Sequence, residues 1–229
     1  KALKELQGKP FYPRGFKQAQ AINRTGNQTS CAVGWLSRYG VIVTNYHTVK
    51  DSDNISISLP EGEKMQAEVV KQDPGHDIAI LSVERKLPER NGLPLAQSVA
   101  SVGSEVFVLG FSASSNLNKD PRIVKAAVNS TSGYRGDPRT YRITSSLERG
   151  YSGSPLLNQE GMVLGMVIQR GDAPEFFPGQ KELGPDEHYA VKIGNLNSML
   201  DEYTKTSAGK NKGMQISVLR DNIFTVIAK

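Results

Sequence analysis

The sequence predicts an all-β protein, a barrel or a sandwich, and three observations carry that prediction. Apolar residues mostly alternate or come in short runs, rather than recurring at helical spacing. The runs are bounded by Gly, Pro, Asn and Asp, and the 229-residue chain holds 22 Gly and 12 Pro. At least ten strand candidates follow one another with no helical segment between them. In chain order they are Cys31 to Leu36, Val41 to Thr44, Ile55 to Leu59, Ala67 to Val70, Ile78 to Val83, Val106 to Leu109, Ile123 to Val128, Thr140 to Thr144, Val163 to Ile168 and Tyr189 to Ile193.

Two segments break the pattern. Lys1 to Gln7 reads as a short opening helix, with Leu3 and Leu6 on one side and Gly8 after it. Leu196, Met199, Leu200 and Tyr203 recur at helical spacing, with Asn195 as the cap, so a helix closes the body of the fold. The Pro- and Gly-bearing stretch Leu87 to Gly103 separates two groups of strands and marks the internal boundary. Thr204 to Gly213 has linker composition. Beyond it, Gln215 to Leu219 and Ile223 to Ile227 flank Arg220-Asp221-Asn222 and read as a hairpin. That tail is either an added barrel strand or the start of a further module.

Composition excludes several classes. With 38% hydrophobic residues the chain is not disordered, and apolar stretches such as Val106 to Leu109 fall far short of the ~20 residues a membrane-spanning helix needs. A single cysteine, Cys31, cannot form an intrachain disulfide, which favours the cytoplasm slightly over the periplasm. Twenty-eight Lys and Arg against 23 Asp and Glu leave a net charge of +5. The densest basic stretch, Lys205 to Lys212, holds three lysines, so nucleic acid is disfavoured as a partner. The first residue is Lys and no apolar signal core follows it, as expected of a processed start or a piece of a longer chain.

The segment Arg149-Gly150-Tyr151-Ser152-Gly153-Ser154-Pro155-Leu156-Leu157 carries the chemistry. A serine flanked by glycines in a tight turn, before the buried strand that starts near Met162, exposes its hydroxyl where backbone N–H groups converge on an oxyanion. An α/β-hydrolase elbow is excluded, because Ser154 stands where Gly would be required and a strand follows instead of a helix. The serine needs a base. Of three histidines, His47 ends the apolar strand Val41 to Thr44 where the chain must turn, whereas His76 and His188 lack such a setting. Asp77, immediately before Ile78-Ala79-Ile80-Leu81, can orient the imidazole from a strand entrance, while turn chemistry with Pro74 and Gly75 accounts for Asp73.

The order His47, Asp77, Ser152, with spacings of 30 and 75 residues, is that of chymotrypsin-type triads. Three blocks resemble, in sequence order, the signature blocks of trypsin-like peptidases: Thr44-Asn45-Tyr46-His47-Thr48-Val49, Asp73-Pro74-Gly75-His76-Asp77-Ile78-Ala79-Ile80-Leu81 and Gly150-Tyr151-Ser152-Gly153-Ser154-Pro155-Leu156. They are most similar to the bacterial HtrA (Do-like) branch and to trypsin-like modules of prokaryotic multidomain proteins. The likeness spans about Gln28 to Tyr203 and includes His188-Tyr189-Ala190-Val191-Lys192 before the last helix.

The resemblance implies two packed six-stranded antiparallel β-barrels, chymotrypsin-like, with a C-terminal helix. The implied division is an N-terminal extension at 1–15, a first barrel at 16–97, a second barrel with the closing helix at 98–205, and a linker with a hairpin-like tail at 206–229. It implies a serine endopeptidase acting on polypeptides, serving protein quality control or forming the protease module of a signalling or defence system. The alternative is a catalytically silent trypsin-like binding module. His47, Asp77 and Ser152 are the expected triad, and the N–H groups of Gly150 and Ser152 the oxyanion hole. The substrate pocket is expected near Ser145 to Leu147, at Ser146 in particular, with Ile168, Gln169, Arg170 and His188 completing it. No Asp stands at Ser146, so cleavage after Lys or Arg is disfavoured, leaving small apolar residues or, through His188, Glu or Gln. No cofactor or metal is expected. Tyr151 replaces the Asn or Asp expected before the nucleophile, and Ser154 replaces the second Gly after it. Without an acidic residue at 151, activation through a buried N-terminal amine is disfavoured, and control by a regulatory domain or partner chain is expected instead.

Overall fold

The computed structural model describes residues 30–59, 62–85, 87, 92–111, 121–148, 150–168, 187–200 and 216–229. Their twelve strands form two closed antiparallel six-stranded barrels. The strands are β1 (Ser30–Leu36), β2 (Ile42–Thr44), β3 (Ile55–Ser58), β4 (Lys64–Asp73), β5 (Ile78–Val83), β6 (Glu105–Gly110), β7 (Arg122–Ser130), β8 (Thr140–Ser145), β9 (Pro155–Leu157), β10 (Val163–Ile168), β11 (Glu187–Lys192) and β12 (Ile223–Ala228). The first barrel runs β1-β12-β3-β4-β5-β2 and the second β10-β11-β8-β7-β6-β9. Among the described residues three α-helices accompany them: α1 (Tyr46–Val49), α2 (Ile193–Leu200) and α3 (Ile216–Asp221).

Each of the ten predicted segments falls on a strand, with Val41, Leu59 and Ile193 just beyond the strand ends, because each carries the branched and apolar residues that fit a pleated, half-buried surface. β4 is longer than predicted. Its polar residues face outward in alternation with Met65 and Ala67, and a bulge between Val69 and Lys71 lets it bend around the barrel. β9 went unpredicted, since three residues carry no period. The opening helix expected over Lys1 to Gln7 lies outside the described residues. The closing helix starts at Ile193, so Asn195 is inside it rather than capping it, and its Nδ2 donates to the Arg139 carbonyl at 2.9 Å.

The tail requires a correction. Among the described residues no hairpin forms there: the expected first arm, from Ile216, is α3, and the second is β12, which lies between β1 and β3 and so belongs to the first barrel. A short apolar run cannot be assigned to helix or strand by period alone. Asn222, placed in the expected turn, is instead buried: its carbonyl accepts from Leu36 N at 2.9 Å and its Oδ1 from Gly92 N at 3.1 Å.

Three apolar cores result. One fills the first barrel, from Leu36 and Ile42 to Phe224 and Val226. A second fills the other barrel, around Val106, Val108, Tyr141, Ile143 and Tyr151. The third lies between the barrels and beneath α2, and includes Trp35, Ile78, Ile80, Phe107, Leu109 and Tyr189. β5 shows why its run is continuously apolar: Ile78 and Ile80 face the core between barrels, while Ala79 and Leu81 face the barrel interior. The boundary segment straps the two barrels together. Ser37 bridges to Leu93 and Leu95 bridges to Val163, both in parallel.

Arg139 makes a further link across the interface. Its Nε donates to Asp137 Oδ1 at 2.9 Å and its Nη2 to Oδ2 at 2.5 Å, while Nη1 reaches the Gly75 carbonyl of the first barrel. The hydrogen bond from Arg139 holds the Asp137 carboxyl below its usual range. A carboxyl depressed in the folded state contributes stability above its unfolded value near ~3.9, and the contribution is lost as pH falls through the lower folded value. Arg139→Ala is therefore expected to destabilise the protein by about 1 kcal/mol at pH 7, the partly exposed pair being screened by solvent. Thermal unfolding across a pH series should show the gap from wild type closing below about pH 4.

Candidate active site

His47 lies in α1, the single turn that follows β2. Asn45, just before it, is extended (φ −72°, ψ 141°), so the chain leaves the sheet where the apolar strand ends. Asp77 stands between the 3-10 turn Pro74–His76 and β5, in the left-handed region (φ 53°, ψ 44°). Aspartate is among the few side chains that tolerate this conformation, at a cost of roughly 1–2 kcal/mol. Four hydrogen bonds offset the cost. The Asp77 carbonyl accepts from Tyr46 N at 3.2 Å and from Asn45 Nδ2 at 3.3 Å, and the carboxylate accepts from His47 N and His47 Nδ1 at 2.8 Å each. Asp77 is buried at 3% exposure. A carboxylate that accepts a hydrogen bond from Nδ1–H fixes the tautomer and leaves Nε2 as the basic nitrogen.

The turn carrying Ser152 needs its glycines. Gly150 (φ 105°) and Gly153 (φ 83°) occupy backbone conformations that other residues rarely adopt. Ser154 N donates to the Tyr151 carbonyl at 3.0 Å, and Gly153 N to the Val167 carbonyl of β10 at 3.0 Å. From the first barrel, Val33 N donates to the Ser152 carbonyl at 2.8 Å. A Cβ on Gly153 would collide with the Val33 carbonyl and come within 3.1 Å of Thr44 Oγ1. Thr44, three residues before His47, donates that hydroxyl to the same Val33 carbonyl at 2.9 Å. The Ser152 turn is thus seated on the part of the first barrel that leads into His47. Ser152 itself is 7% exposed.

The two departures from the family pattern are accommodated by packing. Tyr151 turns into the core of the second barrel, and burial pushes its phenol up to about 12, so it stays neutral. Ser154 is fully buried, and among the described residues its hydroxyl has no hydrogen-bond partner. Both rest on Gly110, where a Cβ would collide with Ser154 Oγ and come within 2.9 Å of Tyr151 Cδ1.

Asp73 makes a second His–Asp pair, confined to its own turn: its Oδ2 lies 2.6 Å from His76 Nδ1 and its Oδ1 accepts from His76 N at 3.2 Å. Both side chains are about one-third exposed, as befits a solvated turn. Of the expected pocket residues, Ser146 is exposed just after β8, and Ile168 is buried in the core between the barrels. His188, opposite Ile143 in β11, is buried, and strand alternation puts it on the same side as Ala190, in the interior of the second barrel. Gln169 and Arg170 lie outside the described residues. Sequence reasoning missed Val33 and Thr44. Val33 acts through its main chain, which leaves no mark on residue type, whereas Thr44 belongs to the block that leads to His47.

Residues 29–166 match the family described as trypsin-like peptidase domain. A probable periplasmic serine endoprotease DegP-like of Halomonas elongata is 31% identical over 140 residues, covering 58% of this chain and 28% of the relative. An uncharacterized protein of Sinorhizobium fredii, y4bJ, is 26% identical over 192 residues, 83% of this chain and 30% of its own length. The chain thus spans less than a third of these curated relatives. Among solved structures, the serine endoprotease from Yersinia pestis superposes with a TM-score of 0.61 at 19% identity, covering 80% of this chain and 61% of that one. The active form of the Rv3671c protease from M. tuberculosis gives 0.56 at 22%, covering 84% and 85%. At these identities the structures speak for the fold alone. The chain belongs to the trypsin-like peptidase family, a family of serine endopeptidases, and DegP-like endoproteases are among its relatives. The word periplasmic in the relative's name runs against the cytoplasmic preference drawn from the single cysteine.

Proposed function

We propose that the chain is a serine endopeptidase module in which His47, Asp77 and Ser152 form the catalytic triad. The observation that carries this reading is the pair of hydrogen bonds that His47 donates to the Asp77 carboxylate, from N and Nδ1, on the barrel face that also receives the Ser152 turn. In this mechanism Ser152 Oγ attacks a peptide carbonyl while His47 Nε2 takes its proton, and Asp77 stabilises the imidazolium. The N–H groups of Gly150 and Ser152 bind the oxyanion. Collapse of the intermediate breaks the C–N bond, His47 returns its proton to the departing amine, and water then hydrolyses the acyl-enzyme through the same groups.

The substrates are polypeptides. Ser146, Ile168, Gln169, Arg170 and His188 are assigned to the pocket for the residue before the scissile bond, which takes small apolar side chains or, through His188, Glu or Gln. The physiological role is in protein quality control or as the protease part of a signalling or defence system, under a regulatory domain or partner chain. A fluorophosphonate probe followed by peptide mapping tests the central point. Labelling at Ser152 alone is expected, and an unlabelled, folded protein would overturn the reading. A peptide-library cleavage profile then separates small apolar from Glu or Gln preference.

A further inference from the structure

We propose that the carboxy-terminal strand β12 is a positioning element for the Ser152 turn, acting through β1; this rests on Ser152 being the nucleophile. The pairing of β1 carries the argument. β2 is only three residues long and pairs with β1 at Trp35 and Leu36 alone. From Ser30 to Gly34 the only strand paired with β1, among the described residues, is β12, in register from Ser30 opposite Ala228 to Trp35 opposite Ile223. The edge of β1 that β2 leaves open is where the nucleophile turn docks, with Val33 N donating to the Ser152 carbonyl and the Val33 carbonyl against Gly153. Val33 sits opposite Thr225, in the middle of β12. The same short stretch of β1 is therefore held from one side by β12 and holds the serine on the other.

β12 is suited to fix that stretch rather than merely cover it. Ile223, Phe224, Val226 and Ala228 are fully buried, and the strand's other edge pairs with β3 from Thr225 opposite Ser58 to Ala228 opposite Ile55. Its ends are clipped: Asn222 accepts from Leu36 N, and Lys229 exchanges backbone hydrogen bonds with Asn54 at 3.0 and 3.3 Å. The space beside Gly34 is already filled from β12 and β2. A Cβ on Gly34 would stand 2.7 Å from Val226 Cγ2 and 3.0 Å from Ile42 Cγ2. The Val226 methyl is on a stiff, β-branched side chain, so an added methyl at 34 must push the strands apart.

A shift of β1 moves Val33 N–H and with it Ser152, and displacement of a reacting group by about 1 Å costs up to roughly 100-fold in rate. The test compares Gly34→Ala, Val226→Ala and the double variant in the full chain, with kcat expressed per fluorophosphonate-titrated site. Gly34→Ala is expected to lower kcat at least about tenfold with KM within about twofold, and adding Val226→Ala should restore kcat to the level of Val226→Ala alone. Val226→Ile adds one methylene at the same contact and should lower kcat in the same sense by about threefold, which keeps the test open if Gly34→Ala does not fold. A purely structural strand would lower the Tm of these variants and leave kcat per titrated site unchanged, and that result overturns the proposal. So does failure of Val226→Ala to restore the Gly34→Ala rate. Wild-type protein that never labels at Ser152 would instead remove the functional reading, and this proposal with it.

Discussion

Ser152→Ala is expected to abolish fluorophosphonate labelling and to lower turnover of a peptide substrate by about 10⁶-fold, with the fold unchanged. The magnitude follows from the way triad members act as a unit, as in the subtilisin series, where loss of the nucleophile or the base alone costs nearly as much as loss of all three. His47→Ala should therefore fall to a similar level, and the Ser152→Ala/His47→Ala pair should fall no further. Circular dichroism and thermal unfolding of the three variants check that the loss is chemical. A Ser152→Ala protein that keeps more than a few per cent of activity would place the nucleophile elsewhere.

The second large effect separates two carboxylates that look alike locally. Asp77→Asn should reduce kcat by about 10⁴-fold, because an amide offers His47 Nδ1 the wrong hydrogen-bond partner and tautomer. Asparagine also tolerates the left-handed backbone that residue 77 adopts, so the loss is not one of folding. Asp73→Asn should stay within about twofold of wild type. Its partner, His76, is three residues away in the same solvated turn and makes no link to Ser152 in the proposed mechanism. Steady-state kinetics on the two variants decide the matter, and a loss at Asp73 with none at Asp77 would reverse the assignment.

Ten of the strands, β1 to β8, β10 and β11, were legible because each is a run of branched or apolar residues between turn formers, and the two-barrel architecture because three short blocks stand in one order. Within the site, His47 and Asp77 could be read from their places at strand ends, and the fold brings them to 2.8 Å. What could not be read depends on partners distant in the chain. β12 meets β1 across almost two hundred residues, and nothing in Ile223 to Ala228 names its neighbour. The clamp from Val33 is a main-chain N–H, indifferent to the side chain that carries it. Asn195 looked like a cap because the apolar period begins after it, yet the helix starts two residues earlier, where β11 runs directly into it.

The packing of Gly110 against Tyr151 and Ser154 constrains which side chains the Ser152 turn can hold. Residues 110 and 154 lie on different strands or turns, yet they share one small volume, in which the absent side chain of the first makes room for the hydroxymethyl of the second. A side chain at 110 would have to displace both the Ser154 hydroxymethyl and the Tyr151 ring, so this chain admits neither Ala nor Ser there without moving residues on both sides of Ser152. The serine at 154 and the glycine at 110 are therefore compatible as a pair: the hydroxymethyl of one occupies the space that the other leaves empty.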